Sequence, residues 1–443
     1  MGKRKFLLFS FIIISLLPWQ LYAQVADTAN KQLTLRQCVE FALKNQPAVR
    51  QAAIDEAINE KNIGVSLSAW LPQVTSSALY DYYFKGSPVT TAPGSAPSNI
   101  NNISTLVLQA SQVIYNNDVL QAAKAAKYSR QYYKQNIASS RINVVSDVSK
   151  AFFDVLLSQR QLEILNEDVV RLQRSLKDAY SQYKAGTVDK TDYKQATISL
   201  NNSIAGRKQT EEAIKSKTAF LKQMMGLGAS GSLALVYDST KYESEAVADT
   251  NQRPDPNNRI EYQLLQTQRN LQDVNINYYK YGFLPSVSAV GAYNWTYLSN
   301  SFGSLYNNVY PNGYVGLTLN LPIFQGNKRL QNLSKARLQA DRADLDIVNE
   351  KNTINTEYVE ALAGYKSNYT NYQLLKQNVD LAKDVYKVVS LQYREGVKTY
   401  LDVIVSQSDL RTAELSYYNA LFQLLSSKID LEKALGTLTV PQN

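Results

Sequence analysis

The chain contains no histidine and a single cysteine. Without histidine it lacks the usual general base at neutral pH and the commonest metal ligand. Cys38 has no second cysteine to pair with, so neither an internal disulfide nor a paired-thiolate metal site is available. Phosphate-binding Gly-Lys loops and nucleophile elbows are also absent from the sequence. Carboxylates alone can carry hydrolytic chemistry, but that needs a clustered acid pair, and no pair of this kind stands out. These absences argue against an enzyme and imply no cofactor. Beyond the first five residues, charge of one sign is not concentrated anywhere. The formal net charge of +9 comes from 47 Lys and Arg set among 38 Asp and Glu. Scattered basic residues describe solvated helix faces and no nucleic-acid-binding stripe. Long apolar runs are missing too. The apolar run near the start, 6–17, is too short to span a bilayer comfortably.

That short run has its own meaning. Lys3, Arg4 and Lys5 precede it, and a small residue, Ala23, follows it. A basic start, an apolar centre and a small residue at the end make a secretory signal. We place it at 1–23. Its loss removes three positive charges and takes the net charge to +6. The next residue is Gln24, so no lipid anchor is expected.

The remainder is written twice. Leu71-Pro72-Gln73-Val74 returns as Leu284-Pro285-Ser286-Val287, and Gln182-Tyr183-Lys184-Ala185-Gly186 as Gln392-Tyr393-Arg394-Glu395-Gly396. Met225-Gly226-Leu227 returns as Leu435-Gly436-Thr437. The offset is about 210 residues, far too long for a solenoid. The pattern predicts two structural repeats, 24–240 and 241–443. In the first, helices are expected at about 35–68, 117–184 and 189–225, with strands at about 73–84 and 104–115. In the second, helices are expected at about 259–281, 327–394 and 400–435, with strands at about 286–298 and 313–324. A short strand is expected around 233–237 in the connecting segment. No proline occurs between Pro97 and Pro254, or between Pro322 and Pro441. Proline in a helix interior costs about 3 kcal/mol, so both stretches are free to be helical.

The predicted strands alternate. One face carries Val74, Ser76, Ala78, Tyr80, Tyr82 and Phe84, and its counterpart carries Val287, Ala289, Gly291, Tyr293, Trp295 and Tyr297. The returning strands put Leu106, Leu108 and Ala110, or Val315, Leu317 and Leu319, opposite a polar set. A period of two with one apolar face describes a half-buried strand. A soluble antiparallel sheet would satisfy that pattern. So would a transmembrane barrel, with Tyr80, Tyr82, Phe84, Tyr293, Trp295 and Tyr297 as an aromatic belt and 85–103 and 299–313 as outer loops. In the barrel case four strands cannot close alone, because open edges strand backbone groups in lipid. Two chains would give eight strands and three would give twelve, and twelve leave an open pore.

The helical stretches carry heptads. Val148, Val155, Leu162, Val169, Leu176 and Tyr183 recur every seven residues, with Ala151, Ser158, Leu165, Leu172 and Ala179 three further on. Tyr358, Tyr365, Tyr372, Val379, Tyr386 and Tyr393 repeat the register. Sustained heptads argue coiled-coil packing. A helix over 117–184 would extend on the order of 100 Å. Gly186 and Gly396 then end the descending helices, as glycine does beyond a helix C-terminus. Each repeat is therefore expected to be a helical hairpin hung from a strand hairpin. A secreted structural or adhesive coiled coil explains the heptads but not the paired alternating strands.

Three segments carry a family resemblance. The first is Leu33-Thr34-Leu35-Arg36-Gln37-Cys38-Val39-Glu40-Phe41-Ala42-Leu43-Lys44-Asn45-Gln46-Pro47. The second is the Leu-Pro step before each strand hairpin. The third is Tyr393-Arg394-Glu395-Gly396-Val397-Lys398-Thr399-Tyr400-Leu401-Asp402-Val403. In this order they resemble the TolC-like outer-membrane efflux protein family. The resemblance implies a mostly α-helical homotrimer with a twelve-stranded β-barrel in outer-membrane lipid and a periplasmic α-barrel tunnel. It implies a periplasmic adaptor and a proton-driven or ATP-driven inner-membrane pump as partners, and no enzymatic site. It also implies a gate at the periplasmic tip, with Thr191 and Asp192 on the first hairpin and Tyr393 and Lys398 on the second. Asp402 would face the lumen in an acidic ring. Two departures bear on this. Lys398 stands where some members have arginine, so a forked contact is not available. Val405 stands where some carry a second acid.

Overall fold

The computed structural model describes residues 32–90, 98–229, 231, 233–236 and 239–441 of the 443. The expected signal at 1–23, part of the first outer loop and the end of the short strand predicted at 233–237 lie outside these residues. The elements in order are β1 (Gln32–Leu33), α1 (Leu35–Asn45), α2 (Pro47–Leu67), β2 (Gln73–Val89), β3 (Ser98–Tyr115), α3 (Asn117–Lys184) and α4 (Lys190–Met225). Then come β4 (Ala234–Leu235), α5 (Ser239–Glu245), α6 (Ile260–Lys280), β5 (Ser286–Ser299), β6 (Val309–Asn320), α7 (Lys328–Arg394) and α8 (Tyr400–Leu435). The fold is mostly helical, with two strand hairpins each leading into a long helical hairpin. α2 and α6 are both 21 residues long and hold equivalent places.

Local chemistry explains where the elements stop. Thr34 and Gln37 form a reciprocal capping box that starts α1. The single helix expected over 35–68 is two helices. Pro47 has no N–H to donate and begins α2, while Gln46 is forced into extended backbone (φ −63°, ψ 124°), as a residue before proline generally is. β2 and β3 run past the expected ends near 84 and 104. An irregularity between Tyr82 and Ser87 lets pairing resume at Ser87↔Ile100, with Gly86 at φ 72° inside it. β6 covers Val309–Asn320 instead of 313–324. Pro311, expected in a loop, sits within β6, where an edge strand tolerates its missing N–H, and Pro322 lies beyond the strand end.

The four long strands form one antiparallel sheet in the order β2-β3-β5-β6. The central pair, β3 and β5, joins the two repeats. The large core lies elsewhere, where α1 and the segment between the repeats pack against α3, α7 and α8 around Phe152, Phe153, Leu156, Tyr242, Leu421 and Leu424. Cys38 belongs to this core and is fully buried. Burial pushes its thiol up to about 12. Only the thiolate reacts readily. Iodoacetamide added to the native protein near neutral pH should therefore leave Cys38 unmodified and alkylate it only after denaturation. Mass spectrometry reads the difference, and alkylation of the native protein would place α1 outside the core.

The repeat is maintained by a backbone contact used twice. Gly226 ends α4 at φ 69° and Gly436 ends α8 at φ 71°. A Cβ at Gly226 would stand 2.6 Å from the carbonyl oxygen of Asn45, just before α2. At Gly436 it would stand 2.6 Å from that of Asn258, just before α6. Each long hairpin thus returns to touch the start of its own repeat.

Candidate functional site

The sheet register sorts the alternating strands into two faces. Rows such as Val74↔Ala110↔Gly291↔Val315 and Ala78↔Leu106↔Trp295↔Pro311 bring the apolar sets of all four strands to one side. Rows such as Thr75↔Gln109↔Ala292↔Tyr314 and Ser77↔Val107↔Asn294↔Asn312 form a more polar side. Tyr80, Tyr82, Tyr293, Trp295 and Tyr297 all lie on the apolar face, toward the end that bears the loops. Phe84 is exposed within the irregular stretch beyond Tyr82. The Tyr293 ring lies against Trp295 at 4.7 Å and over Gly313, where a Cβ would meet it at 2.9 Å. In the single chain the apolar face is bare: Val315 is 90% exposed, Leu317 74% and Leu319 65%. β2 and β6 are open edges. No described helix is long and apolar enough to cross a membrane.

The helices continue this incompleteness. The heptad positions of α3 are buried or half-buried, as are Tyr365, Tyr372, Val379 and Tyr386 on α7. A second heptad, Leu374, Leu381 and Val388, points the other way on α7 and is exposed. A helix with apolar seams on opposite sides is built for two neighbours, and α8 supplies only one.

Some of the tyrosine heptad does more than fill a seam. Tyr365 Oη donates to the Ala246 carbonyl at 3.0 Å and accepts from the Ala248 N–H at 2.7 Å. Tyr358 Oη donates to the Gln252 carbonyl at 2.7 Å. Tyr417 of α8 donates to Glu243 at 2.6 Å, and Lys376 pairs with the same carboxylate at 2.6 Å. Burial disfavours the Glu243 charge, yet these two partners hold its carboxyl below the usual range. These bonds strap the segment between the repeats onto the second hairpin. Sequence reading missed the strap, because a side chain bonding to distant backbone leaves no periodic signal.

A buried polar cluster, also missed, joins the two hairpins. Asp168 of α3 is 1% exposed. Its carboxylate accepts from Ser203 at 2.9 Å, Gln407 at 3.1 Å and Arg411 at 3.2 Å. Arg171 stands 3.7 Å away and 3.9 Å from Glu414. Three helices from both repeats meet there, about 24 Å above the tip at 1.5 Å per residue.

At the tip, Gly186 and Gly396 take φ 75° and 74°, and nothing lies within 4 Å of a Cβ built on either. Thr187 N–H then donates to the Gln182 carbonyl and Val397 N–H to that of Gln392, closing both helix ends. Tyrosines pack both within and between the hairpins. Tyr400 is buried with Ala179 and Ala196, Tyr393 lies 5.7 Å from Tyr400, and Tyr193 lies 5.0 Å from Tyr183. Tyr393 Oη donates to Gln182 Oε1 at 2.7 Å, which links the two hairpins within one chain. Burial raises the ionisation of both Tyr393 and Tyr400 above the phenol range. Asp192 is in the first turn of α4, two residues after its start, with Thr191 beside it. Lys398 stands 3.8 Å from Asp402 of its own chain, and Asp192 makes no ion pair among the described residues.

Asp402 has a local role that the expected acidic ring did not include. Its carboxylate accepts from the Thr399 N–H at 2.9 Å and hydroxyl at 2.7 Å, while Thr399 Oγ1 accepts from the Asp402 N–H. This is a capping box at the start of α8. The Thr399 bonds hold the Asp402 carboxyl below the usual range, with help from Lys398. Among the described residues no group of three acidic, cysteine or histidine side chains could hold a metal ion.

The family described as outer membrane efflux protein matches residues 38–227 and 260–437. Among curated relatives, the outer membrane protein TolC of Vibrio cholerae is 22% identical over 410 residues, covering 90% of this chain and 89% of that protein. Among solved structures, the outer membrane protein VceC of Vibrio cholerae superposes with a TM-score of 0.72 at 16% identity, covering 91% of this chain and 96% of the other. The CmeC outer membrane channel of Campylobacter jejuni gives 0.74 at 18% identity, covering 92% and 87%. At these identities the structures share the fold.

Proposed function

Because the chain belongs to the outer membrane efflux protein family, and is an outer-membrane efflux protein, we propose that it acts as the exit duct of a tripartite export system, as a homotrimer. Membership sets aside the secreted adhesive coiled coil, and family members are channel proteins rather than enzymes. The observation that carries the trimer is the four-stranded ribbon with one apolar face and two unpaired edges. In lipid those edges must close on other copies. Three copies give twelve strands, a pore wide enough for cargo, and six helical hairpins for the tunnel below. The exposed heptad of α7 is then the seam with the next copy. The apolar face with its aromatic belt meets lipid, and the polar face lines the lumen. Mass measurement of the detergent-extracted protein should give three chains. A stable water-soluble monomer would overturn the reading.

The partners are a periplasmic adaptor at the tips, where Val397 and Leu401 are exposed, and an inner-membrane pump. The tip is also the proposed gate, formed by Thr191, Asp192, Tyr393, Lys398 and Asp402. Within the chain, the Tyr393–Gln182 bond holds the hairpins together, while Asp192 is left free for the Lys398 of a neighbouring copy. An exposed pair of this kind is worth at most about 1 kcal/mol, and the threefold axis repeats it. That sum holds a gate closed without locking it. Asp192→Ala with Lys398→Ala should raise single-channel conductance in planar bilayers while the trimer survives. Unchanged conductance would leave both as ordinary surface charges. Asp402→Ala should weaken block by cations entering from the tip. It also removes the carboxylate half of the α8 capping box while leaving the Thr399 cap in place, so Asp402→Asn is the cleaner variant for the charge.

A further inference from the structure

We propose that the 3-10 turn Phe302–Asn307, between β5 and β6, is an interfacial shelf. It lies against the lipid-facing side of the barrel rim and beds Phe302 and Tyr306 in the border between headgroups and acyl chains of the outer leaflet. The inference rests on the barrel reading above. The sequence expects the stretch 299–313 to be an outer loop standing in water. β6 begins at Val309, so the connection is short, and it folds down.

Its position follows from what it touches. Phe302 meets Tyr80 edge-on at 5.7 Å, and Tyr306 meets Tyr297 at 5.1 Å. The Tyr306 hydroxyl reaches Ser104 Oγ at 3.4 Å. Tyr80, Ser104 and Tyr297 form one row of the sheet and lie on its apolar face. The turn therefore lies on the side that the barrel turns to lipid, away from the lumen. It is held there. Asn300 accepts from the Asn101 N–H at 3.0 Å, and the Ser299 and Ser304 hydroxyls meet at 2.8 Å. Leu305 is fully buried beneath.

What remains outward is aromatic. Phe302 is 64% exposed and Tyr306 59%. A phenylalanine so exposed on a pinned turn is poorly placed in water, whereas aromatic rings concentrate at the level of lipid headgroups. Charge points the same way. The stretch 286–327, both strands and the turn included, contains no Asp, Glu, Lys or Arg, whereas the first hairpin carries Asp81 and Lys85. An uncharged aromatic shelf fits the apolar border of the leaflet. A surface for anionic sugars or phosphates would call for Lys or Arg.

The test uses tryptophan emission in the full exported chain, with Trp70 and Trp295 replaced by phenylalanine. Phe302→Trp is reconstituted in nanodiscs of phosphatidylcholine, plain or brominated near the carboxyl end of its acyl chains. Val315→Trp, on the lipid face of β6, and Thr90→Trp, beyond β2, serve as controls. The expected result is a loss of Phe302→Trp emission in brominated lipid comparable with that of Val315→Trp, and no loss for Thr90→Trp. Tyr306→Trp repeats the measurement if Phe302→Trp fails to assemble. Quenching of Val315→Trp without quenching of either turn variant would overturn the shelf and leave the barrel standing. An unquenched Val315→Trp would remove the barrel and the shelf together.

Discussion

Alanine at Gly226 or Gly436 should lower the melting temperature sharply, while alanine at Gly186 or Gly396 should cost only the smaller backbone strain. All four glycines sit at φ between 69° and 75°, beyond the last turn of a long helix. The backbone cost of an L-residue there is about 1–2 kcal/mol and is common to all four. The surroundings separate them. At the tip a new Cβ meets nothing within 4 Å. At Gly226 and Gly436 it meets a backbone carbonyl oxygen at 2.6 Å and its carbon at 2.8 Å, and backbone cannot rotate away as a side chain can. The helix end must then lift from Asn45 or from Asn258. Forcing atoms into packed space adds about 1–3 kcal/mol or more. The junction at Gly436 has more to lose, because the buried Arg259 guanidinium donates to the Ala434 carbonyl at 3.2 Å and to Glu357 at 2.7 Å. Against a usual total of roughly 5–15 kcal/mol, such a loss is large. Thermal melts followed by circular dichroism, with gel mobility of unheated samples, would separate the pairs. Equal losses at all four positions would show that the close approach of α4 and α8 to the repeat starts contributes nothing.

The same glycines explain why so much of the architecture can be read from the residues. Met225-Gly226 and Leu435-Gly436 recur at equivalent positions because the same close approach is made twice. The alternation in β2, β3, β5 and β6 is plain because each strand has one apolar face, whatever covers it. The heptads of α3 and α7 persist because a long helix must keep one seam turned to its partner. Features that depend on distant segments left no such trace. Asp168 sits beside a heptad valine and reads as a solvated charge, yet Ser203, Gln407 and Arg411 converge on it from two other helices. Tyr365 reads as a seam residue, yet its hydroxyl holds the backbone at Ala246 and Ala248. The extension of β2 past Phe84 depends on an irregular pairing that no alternation predicts. Two other features do have local signals in the sequence. Pro47 marks the break between α1 and α2, and Thr399-x-x-Asp402 is a capping box. In both cases a residue given a place in a family motif has a simpler backbone duty as well.

Arginine at Val315 should abolish assembly in the outer membrane, and arginine at Thr318 should not. The two positions are three residues apart on β6, so they point to opposite faces of one strand. The pairings Val315↔Gly291 and Thr318↔Ser288 put Val315 with the apolar face and Thr318 with the polar one. Val315 lies near the middle of the strand, where a lipid-facing arginine costs about 2–4 kcal/mol per chain. A closed barrel repeats that cost in every copy, and β6 is an edge that must also find its partner there. In the proposed barrel Thr318 would face the lumen, where water solvates the guanidinium. Its arginine should insert and form trimers, and it should shift the pore toward anions through added positive charge. Membrane fractionation with gel mobility reads the first effect, and reversal potentials in a salt gradient read the second. If both variants assemble equally well, the apolar face does not meet lipid. If Thr318→Arg is the one that fails, the sheet is inside out relative to the faces assigned here. An outcome in which only Val315→Arg is lost ties the alternation on β6 to the pore, because a soluble sheet would place no such premium on one bare face over the other.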